Sequence, residues 1–285
     1  MARKQNLTGW AFLTPAVILL CWCSFYPMIQ ALILSVRTGR GQNMKFVGLA
    51  NYMRILKDPT FAGTLFNTFI YFIFQVPIML LLALVLATML NDRKLRFRGL
   101  YRTCIFMPCA TSLVSYSMIF RSLFANEGMV NVILKTIGLS PVNWFGEAWS
   151  ARLVIIIALI WRWTGYNMVF YLAGLQNIEY TVYEAARLDG ASARQTFFKI
   201  TLPLLKPMIL LTTITSTNGI LQLFDESVNL TNGGPARSTM TMSHYIYNTS
   251  FVQSPNFGYA AAMSVIILVM VAVLSLIQMK VGDER

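Results

Sequence analysis

"EAARLDGASARQTFFKITLPLLKP", residues Glu184 to Pro207, interrupts an otherwise apolar chain: one apolar stretch ends just before it and another begins as it closes. Its first half, to Leu188, is rich in good helix formers. Asp189-Gly190 is a turn pair suited to ending that helix, because glycine accepts the left-handed backbone conformation. "ASARQTFFKI" then restarts a helix, with Ser192 placed to cap it. Phe197, Phe198 and Ile200 lead back toward apolar surroundings, and Pro203 and Pro207 punctuate entry into the next stretch. The small side chains of Ala185 and Ala186 let another surface approach the backbone closely. The residues alone leave two readings open, an amphipathic connector and a docking platform for a separate protein.

The flanking composition sets the environment. Of 285 residues, 56% are hydrophobic and 12% charged, whereas a soluble domain is about 25% charged. No charge falls within 59–91, 103–120, 207–224 or 245–279. Uncharged runs of about 18 or more residues read as membrane spans. The expectation is an all-α integral membrane protein with six spans, near 10–34, 66–90, 101–121, 153–175, 207–227 and 259–279. The apolar stretch from Trp10 to Val36 exceeds a signal peptide's core of about 7–15 residues, so it reads as a retained span.

Basic residues orient these spans. Arg3 and Lys4, the dense cluster from Arg93 to Arg102, then Arg187, Arg194, Lys199 and Lys206, and finally Lys280 and Arg285 fall on one side. Fewer fall on the other, and short loops weigh most in the positive-inside rule. Both termini and the 184–207 segment are therefore expected in the cytoplasm. The net charge of +12 is accounted for by this topology, and no basic stripe interleaved with aromatics points to nucleic acid. Cys21, Cys23, Cys104 and Cys109 lie in apolar runs, far in sequence from the single His244. That argues against metal or disulfide roles.

The Glu184 segment resembles the signature of ABC importer permeases: Glu184-Ala185-Ala186, three residues, Gly190, nine residues, then Ile200 and Leu202-Pro203. The similarity extends to "WRWTGYNMVFYLAGLQNI", "LFDESVNLTNGGPARST" and "FVGLANYMRILKDPTF", and so to nearly the whole chain. It is closest in kind to carbohydrate-uptake permeases of the maltose, lactose and glycerol-phosphate type, with "TNGGP" like the first member of a heterodimeric pair. The resemblance implies a type I importer permease fold and residence in a bacterial inner membrane. It implies as partners a second permease subunit, two ATP-binding subunits, an extracytoplasmic solute-binding protein and a carbohydrate. Glu184, Ala185, Ala186, Asp189, Gly190, Ile200, Leu202 and Pro203 would couple to the ATPase. ATP and magnesium would sit on that ATPase and no cofactor on this chain, which lacks a Gly-x-x-x-x-Gly-Lys-Ser/Thr loop. The expected organisation is an N-terminal span and outer loop (1–64), a core (65–280) containing the coupling loop 176–206, and a short tail (281–285).

For the substrate path, the fifth span carries Ser216, Asn218 and Gln222 among several threonines, more polar groups than a lipid-facing helix needs. They read as interhelical glue or as a hydrated lining. Ser216 falls where the maltose-type family places a substrate contact. Ile220 and Leu223 replace that family's asparagines. Asn167 joins the set, and Trp161 and Trp163 read as interfacial anchors or sugar-stacking platforms. Arg162 is expected near the outer interface, snorkelling there, or else within the path. Asn67, Thr68 and Gln75 suit packing or a cavity wall. Asp225 and Glu226 are expected at the outer end of the fifth span, as a gate or a solvated terminus.

Other classes fare less well. The same architecture carrying a polyol, sugar phosphate or amino acid remains open. A secondary transporter calls for buried acids within its spans, and the spans offer almost none except Asp225 and Glu226 at an edge; an enzyme calls for a convergent catalytic set, which one histidine and loop-bound acids do not supply.

Overall fold

The computed structural model describes residues 2–39, 44–92 and 94–283, without the side chains of 2–9 and 283. Arg40, Arg93 and Arg285, and the side chains of Arg3 and Lys4, thus lie outside the described residues. The structure is helical, with one short antiparallel ribbon pairing Arg37–Thr38 with Lys45–Phe46. Among the described residues, five helices are long and apolar enough to cross a membrane: Trp10–Ser35, Pro59–Leu90, Ala148–Gln176, Ala193–Leu221 and Phe257–Gly282. A sixth crossing requires the pair Arg98–Ala110 and Leu113–Leu123, bent by 97°.

That bend corrects the expected straight span at 101–121. Pro108 lies inside the first helix, and Thr111 and Ser112 leave helical geometry at ψ 147° and 135°. The Thr111 hydroxyl donates to the Pro108 carbonyl at 2.6 Å, drawing that orphaned end group into a side-chain bond. The fifth span is corrected at both ends. It begins at Ala193, passes through a π-helical turn at Phe197–Thr201, and stops at Leu221. Residues 225–227 belong instead to a separate short helix, Asp225–Thr231. Pro203 is harmless in the first turn after the π segment, whereas Pro207 removes one interior hydrogen bond without ending the helix.

The chain divides into two compact units, Met1–Phe61 with Tyr245–Val269, and Ala62–His244 with Met270–Arg285. In the first unit, Asn51 Nδ2 donates at 2.8 Å to the carbonyls of Ser35 and Arg37, and the Tyr52 hydroxyl donates to Ser35 Oγ at 2.7 Å. Asp58 accepts from the hydroxyls of Tyr245 and Tyr259, each at 2.7 Å. The first span buries none of its most apolar window, as suits a helix whose surroundings are lipid.

The second unit has the larger core. Ala83, Ala87 and Leu90 pack against Met168, Tyr171, Leu172 and Leu175 of the fourth span and Leu205 of the fifth. The alanines let the helices close up. Gly165 is required by an even closer approach: a Cβ there would stand 2.0 Å from the Ile105 carbonyl oxygen. Gln278 Nε2 donates to Thr217 Oγ1 at 2.7 Å, and Ser275 Oγ to Asn218 Oδ1 at 3.4 Å, so part of the fifth span's polarity joins it to the last helix. The segment after the fifth span folds tightly. Ser227 Oγ donates to the Thr239 carbonyl and lies 2.9 Å from His244 Nδ1, and burial pushes that imidazole's pKa down.

Candidate functional site: a polar cavity and a helical elbow

The turn between residues 184 and 203 explains its own spacing. The helix Tyr180–Leu188 ends on Asp189, and Gly190 adopts φ +73°. The Ala191 amide donates to the Ala186 carbonyl at 2.9 Å and the Gly190 amide to the Arg187 carbonyl at 3.1 Å. This is the Schellman pattern, which satisfies two end carbonyls and needs a left-handed residue at one position. Three residues between the alanine pair and glycine are what that ring of bonds demands.

The next helix starts at once. Ser192 and Gln195 form a capping box, with Gln195 N donating to Ser192 Oγ at 3.3 Å and Ser192 N to Gln195 Oε1 at 2.8 Å. The Tyr183 hydroxyl lies 3.3 Å from Thr201 Oγ1, bracing the first helix against the π turn. Glu184, Ala185 and Asp189 are exposed, whereas Ala186 is buried within the chain. Ile200 and Leu202 are half-buried, and Pro203 is exposed. Leu188, not singled out from sequence, is 89% exposed at the tip. Its signal was a leucine immediately before a helix-ending Asp-Gly pair.

A cavity of about 620 Å³ lies in the second unit, bordered by the second, fourth and fifth spans and the start of the Asp225–Thr231 helix. Of the expected path residues, Asn167, Trp163, Ser216 and Gln222 reach its wall. Trp161 does not; it packs on Phe120 at 5.5 Å and on Tyr116 at 6.3 Å. Asn218 is occupied by Ser275 instead. Gln75 lines the cavity, whereas Asn67 and Thr68 are structural.

Arg162 departs from expectation. Its guanidinium does not snorkel to a surface: the residue is 9% exposed and lines the cavity. The side chain is captured by aromatic faces, with Cζ 4.6 Å from the Tyr116 ring centroid and 5.6 Å from that of Trp163. Its Nε and Nη1 are buried without hydrogen-bond partners. Asn167 donates to the Trp163 carbonyl at 3.0 Å, and its Oδ1 is buried and unpartnered as well. Glu226 is no solvated terminus either. It is buried on the cavity wall, and burial pushes its carboxyl toward the neutral form. Asp225 beside it lines the cavity but is exposed.

Residues 48–282 match the family described as the binding-protein-dependent transport system inner membrane component. The chain belongs to this family of transport permeases. It is 51% identical to the lactose transport system permease protein LacF of Rhizobium radiobacter, over 100% of this chain and 97% of that protein. It is 36% identical to the arabinooligosaccharides transport system permease protein AraP of Halalkalibacterium halodurans, covering 99% and 92%. The trehalose/maltose transport system permease protein MalF of Thermococcus litoralis is also 36% identical, covering 84% and 81%. Among solved structures, a chain of a bacterial ABC transporter involved in the import of the acidic polysaccharide alginate superposes with a TM-score of 0.86 at 23% identity, covering 98% of this chain and 96% of that one. That match shows a shared fold. The permease is thus a multi-span membrane protein of the importer type.

Proposed function

We propose that this permease carries a carbohydrate, a mono- or oligosaccharide, into the cytoplasm by alternating access. One observation carries the substrate class: the polar side chains of Arg162, Asn167, Ser216 and Gln222 line one cavity together with Trp163. A sugar hydroxyl donates and accepts at once. An apolar cargo would displace water from these polar side chains without replacing its hydrogen bonds, at about 1–3 kcal/mol for each group left unpaired. Ser216 and Gln222 add polar contacts, and Trp163 adds an aromatic face. Relatives named for lactose, arabinooligosaccharides and trehalose/maltose support the same class.

In this reading the permease pairs with a second homologous subunit. Two separate ATP-binding subunits, carrying ATP and magnesium, grip the elbow formed by 184–203. An extracytoplasmic solute-binding protein delivers the cargo. Both termini are cytoplasmic, which puts the elbow on the ATPase side. ATP-driven closure of the ATPase pair pulls on the elbow, and the helix that begins at Ala193 transmits the movement directly into the fifth span.

Uptake by vesicles containing the complete complex tests this. Lactose uptake should require ATP and the binding protein, and other saccharides should compete with it. Preferential uptake of a polyol, sugar phosphate or amino acid would replace the carbohydrate reading. Solute movement by the purified chain without an ATPase would overturn the importer reading.

A further inference from the structure

We propose that the helix Met129–Thr136 is a membrane-surface anchor, seated on lipid where the third span ends and the fourth begins, with Met129, Val132, Ile133 and Ile137 turned into the acyl boundary. The anchor is independent of the cargo's identity. The helix sorts its residues by face. Asn131 is buried, and Val130 and Leu134 beside it are half-buried. Met129, Val132, Ile133 and Ile137 recur at helical spacing, and each is more than half exposed. An apolar stripe at that spacing is normally the side that packs against a core. Here it is the side turned away from the chain.

The level of the helix follows from its fastenings. Asn131 Nδ2 reaches the carbonyls of Ala125 and Asn126 at 3.2 and 3.1 Å, just beyond the Leu113–Leu123 helix. Asn131 Oδ1 accepts from the Val142 amide at 3.0 Å and from Trp144 Nε1 at 3.1 Å. The Ser150 hydroxyl, in the first turn of the fourth span, lies 3.3 Å from the Asn143 carbonyl. The helix is thus tied to the end of one span and the start of the next, and those two ends open on one face of the bilayer. The fourth span has 29 residues, a length of about 44 Å. A bilayer with its headgroup layers measures about 40–45 Å, so the head of that span stands in the interfacial layer. Trp149 is exposed there, as belt tryptophans are.

The chemistry of the stripe selects lipid over protein as its cover. Protein contacts concentrate their energy in Trp, Tyr and Arg, and the stripe holds none of these. It combines aliphatic side chains with an exposed Lys135 and no acid within the helix, as suits a helix lying in the interface. The long Lys135 stem lets its ammonium reach the phosphate layer. Held in this way, the membrane fixes the head of the span that carries Arg162, Trp163 and Asn167.

The test uses the complete complex, both permease and both ATPase subunits, in nanodiscs of phosphatidylcholine and phosphatidylglycerol, with its native cysteines replaced by alanine. Nitroxide labels are placed singly through Ile133→Cys, Ile137→Cys and, as an aqueous reference, Glu127→Cys. Spin relaxation then reports access to oxygen, which concentrates in lipid, and to a water-soluble nickel chelate. The ratio of oxygen access to nickel access should be severalfold higher at positions 133 and 137 than at 127. A ratio equal to that at 127 places the stripe in water and overturns the anchor. Low access to both reagents means cover by another protein and overturns it as well. The unaltered complex gives a second measure that no substitution can disturb. A phosphatidylcholine with a diazirine near the head of its acyl chain should crosslink to Met129, Val132 or Ile133, mapped by mass spectrometry, and absence of those adducts overturns the anchor.

Discussion

Arg152 Nη2 donates to Asn67 Oδ1 at 2.9 Å, and both residues are buried. Around that bond, Arg152 Nε reaches the Ser238 carbonyl at 3.0 Å, and Asn67 Nδ2 reaches the carbonyls of Arg237 and Met240 at 3.1 and 3.0 Å. Two spans thus grip the loop after "TNGGP" through its backbone. Hydrogen bonds to a charged group contribute roughly 1.5–3 kcal/mol each. Arg152→Met should therefore lower the thermal midpoint of the purified complex by several degrees, and Asn67→Leu should do so comparably. The double variant should cost less than the sum of the two, because they break one shared bond. Strict additivity would show that the bond does not couple them.

Gly165 supports a different contact. With its Cβ position 2.0 Å from the Ile105 carbonyl, even Gly165→Ala forces the fourth span away from the Arg98–Ala110 helix. Overpacking of this kind costs about 1–3 kcal/mol or more, and Gly165→Val should cost more than Gly165→Ala. Yield of folded complex by size-exclusion chromatography reads this out. Normal yield of the valine variant would contradict the close approach.

Asp58 gives a pH-dependent signal. Burial alone would raise its carboxyl pKa, but the hydroxyls of Tyr245 and Tyr259 and the amides of Thr60 and Phe61 outweigh it and hold the pKa below the ordinary value. A depressed carboxylate stabilises the fold above its unfolded pKa of about 3.9. That contribution is lost as pH falls through the folded pKa. Wild type should thus unfold at a higher temperature than Asp58→Asn near neutrality, and the gap should narrow below about pH 4. A gap that widened on acidification would reverse the assignment.

Leu188, exposed at the elbow's tip, tests what covers it. Burying a leucine side chain contributes about 1.5–3 kcal/mol. Leu188→Ser should therefore weaken ATPase attachment roughly 10-fold or more, leaving the unfolding temperature of the permease pair unchanged. Titration of the ATPase onto immobilised permease pairs measures it, and unaltered affinity would remove Leu188 from the contact.

What could be read from sequence was what is local. The helix end at Asp189-Gly190 and the cap at Ser192 are set by residues within a few positions of each other, so the sequence announced them, whereas the reciprocal bond from Gln195 was seen only in the structure. Hydropathy placed the spans because it sums over a window. For the same reason it missed the 97° bend beside Thr111 and the early start of the fifth span at Ala193, since a sum carries no direction. Arg162 illustrates the remainder. Its destination depends on Tyr116, a residue from another helix, and no periodicity within "WRWTG" reports that ring. Asn131 was likewise silent, although its amide joins Ala125, Asn126, Val142 and Trp144 into one loop.

The most direct measurement is ATPase attachment to permease pairs carrying Gly190→Val, with Glu184→Arg alongside. No atom lies within 4 Å of the Cβ position at Gly190, whose φ is +73°, so the main effect of valine there is strain in the left-handed backbone of the elbow. The account predicts that both variants assemble as permease pairs, bind the ATPase at least about tenfold more weakly, and lose ATP-driven uptake in proportion. Full ATPase affinity together with undiminished uptake in both variants would contradict it.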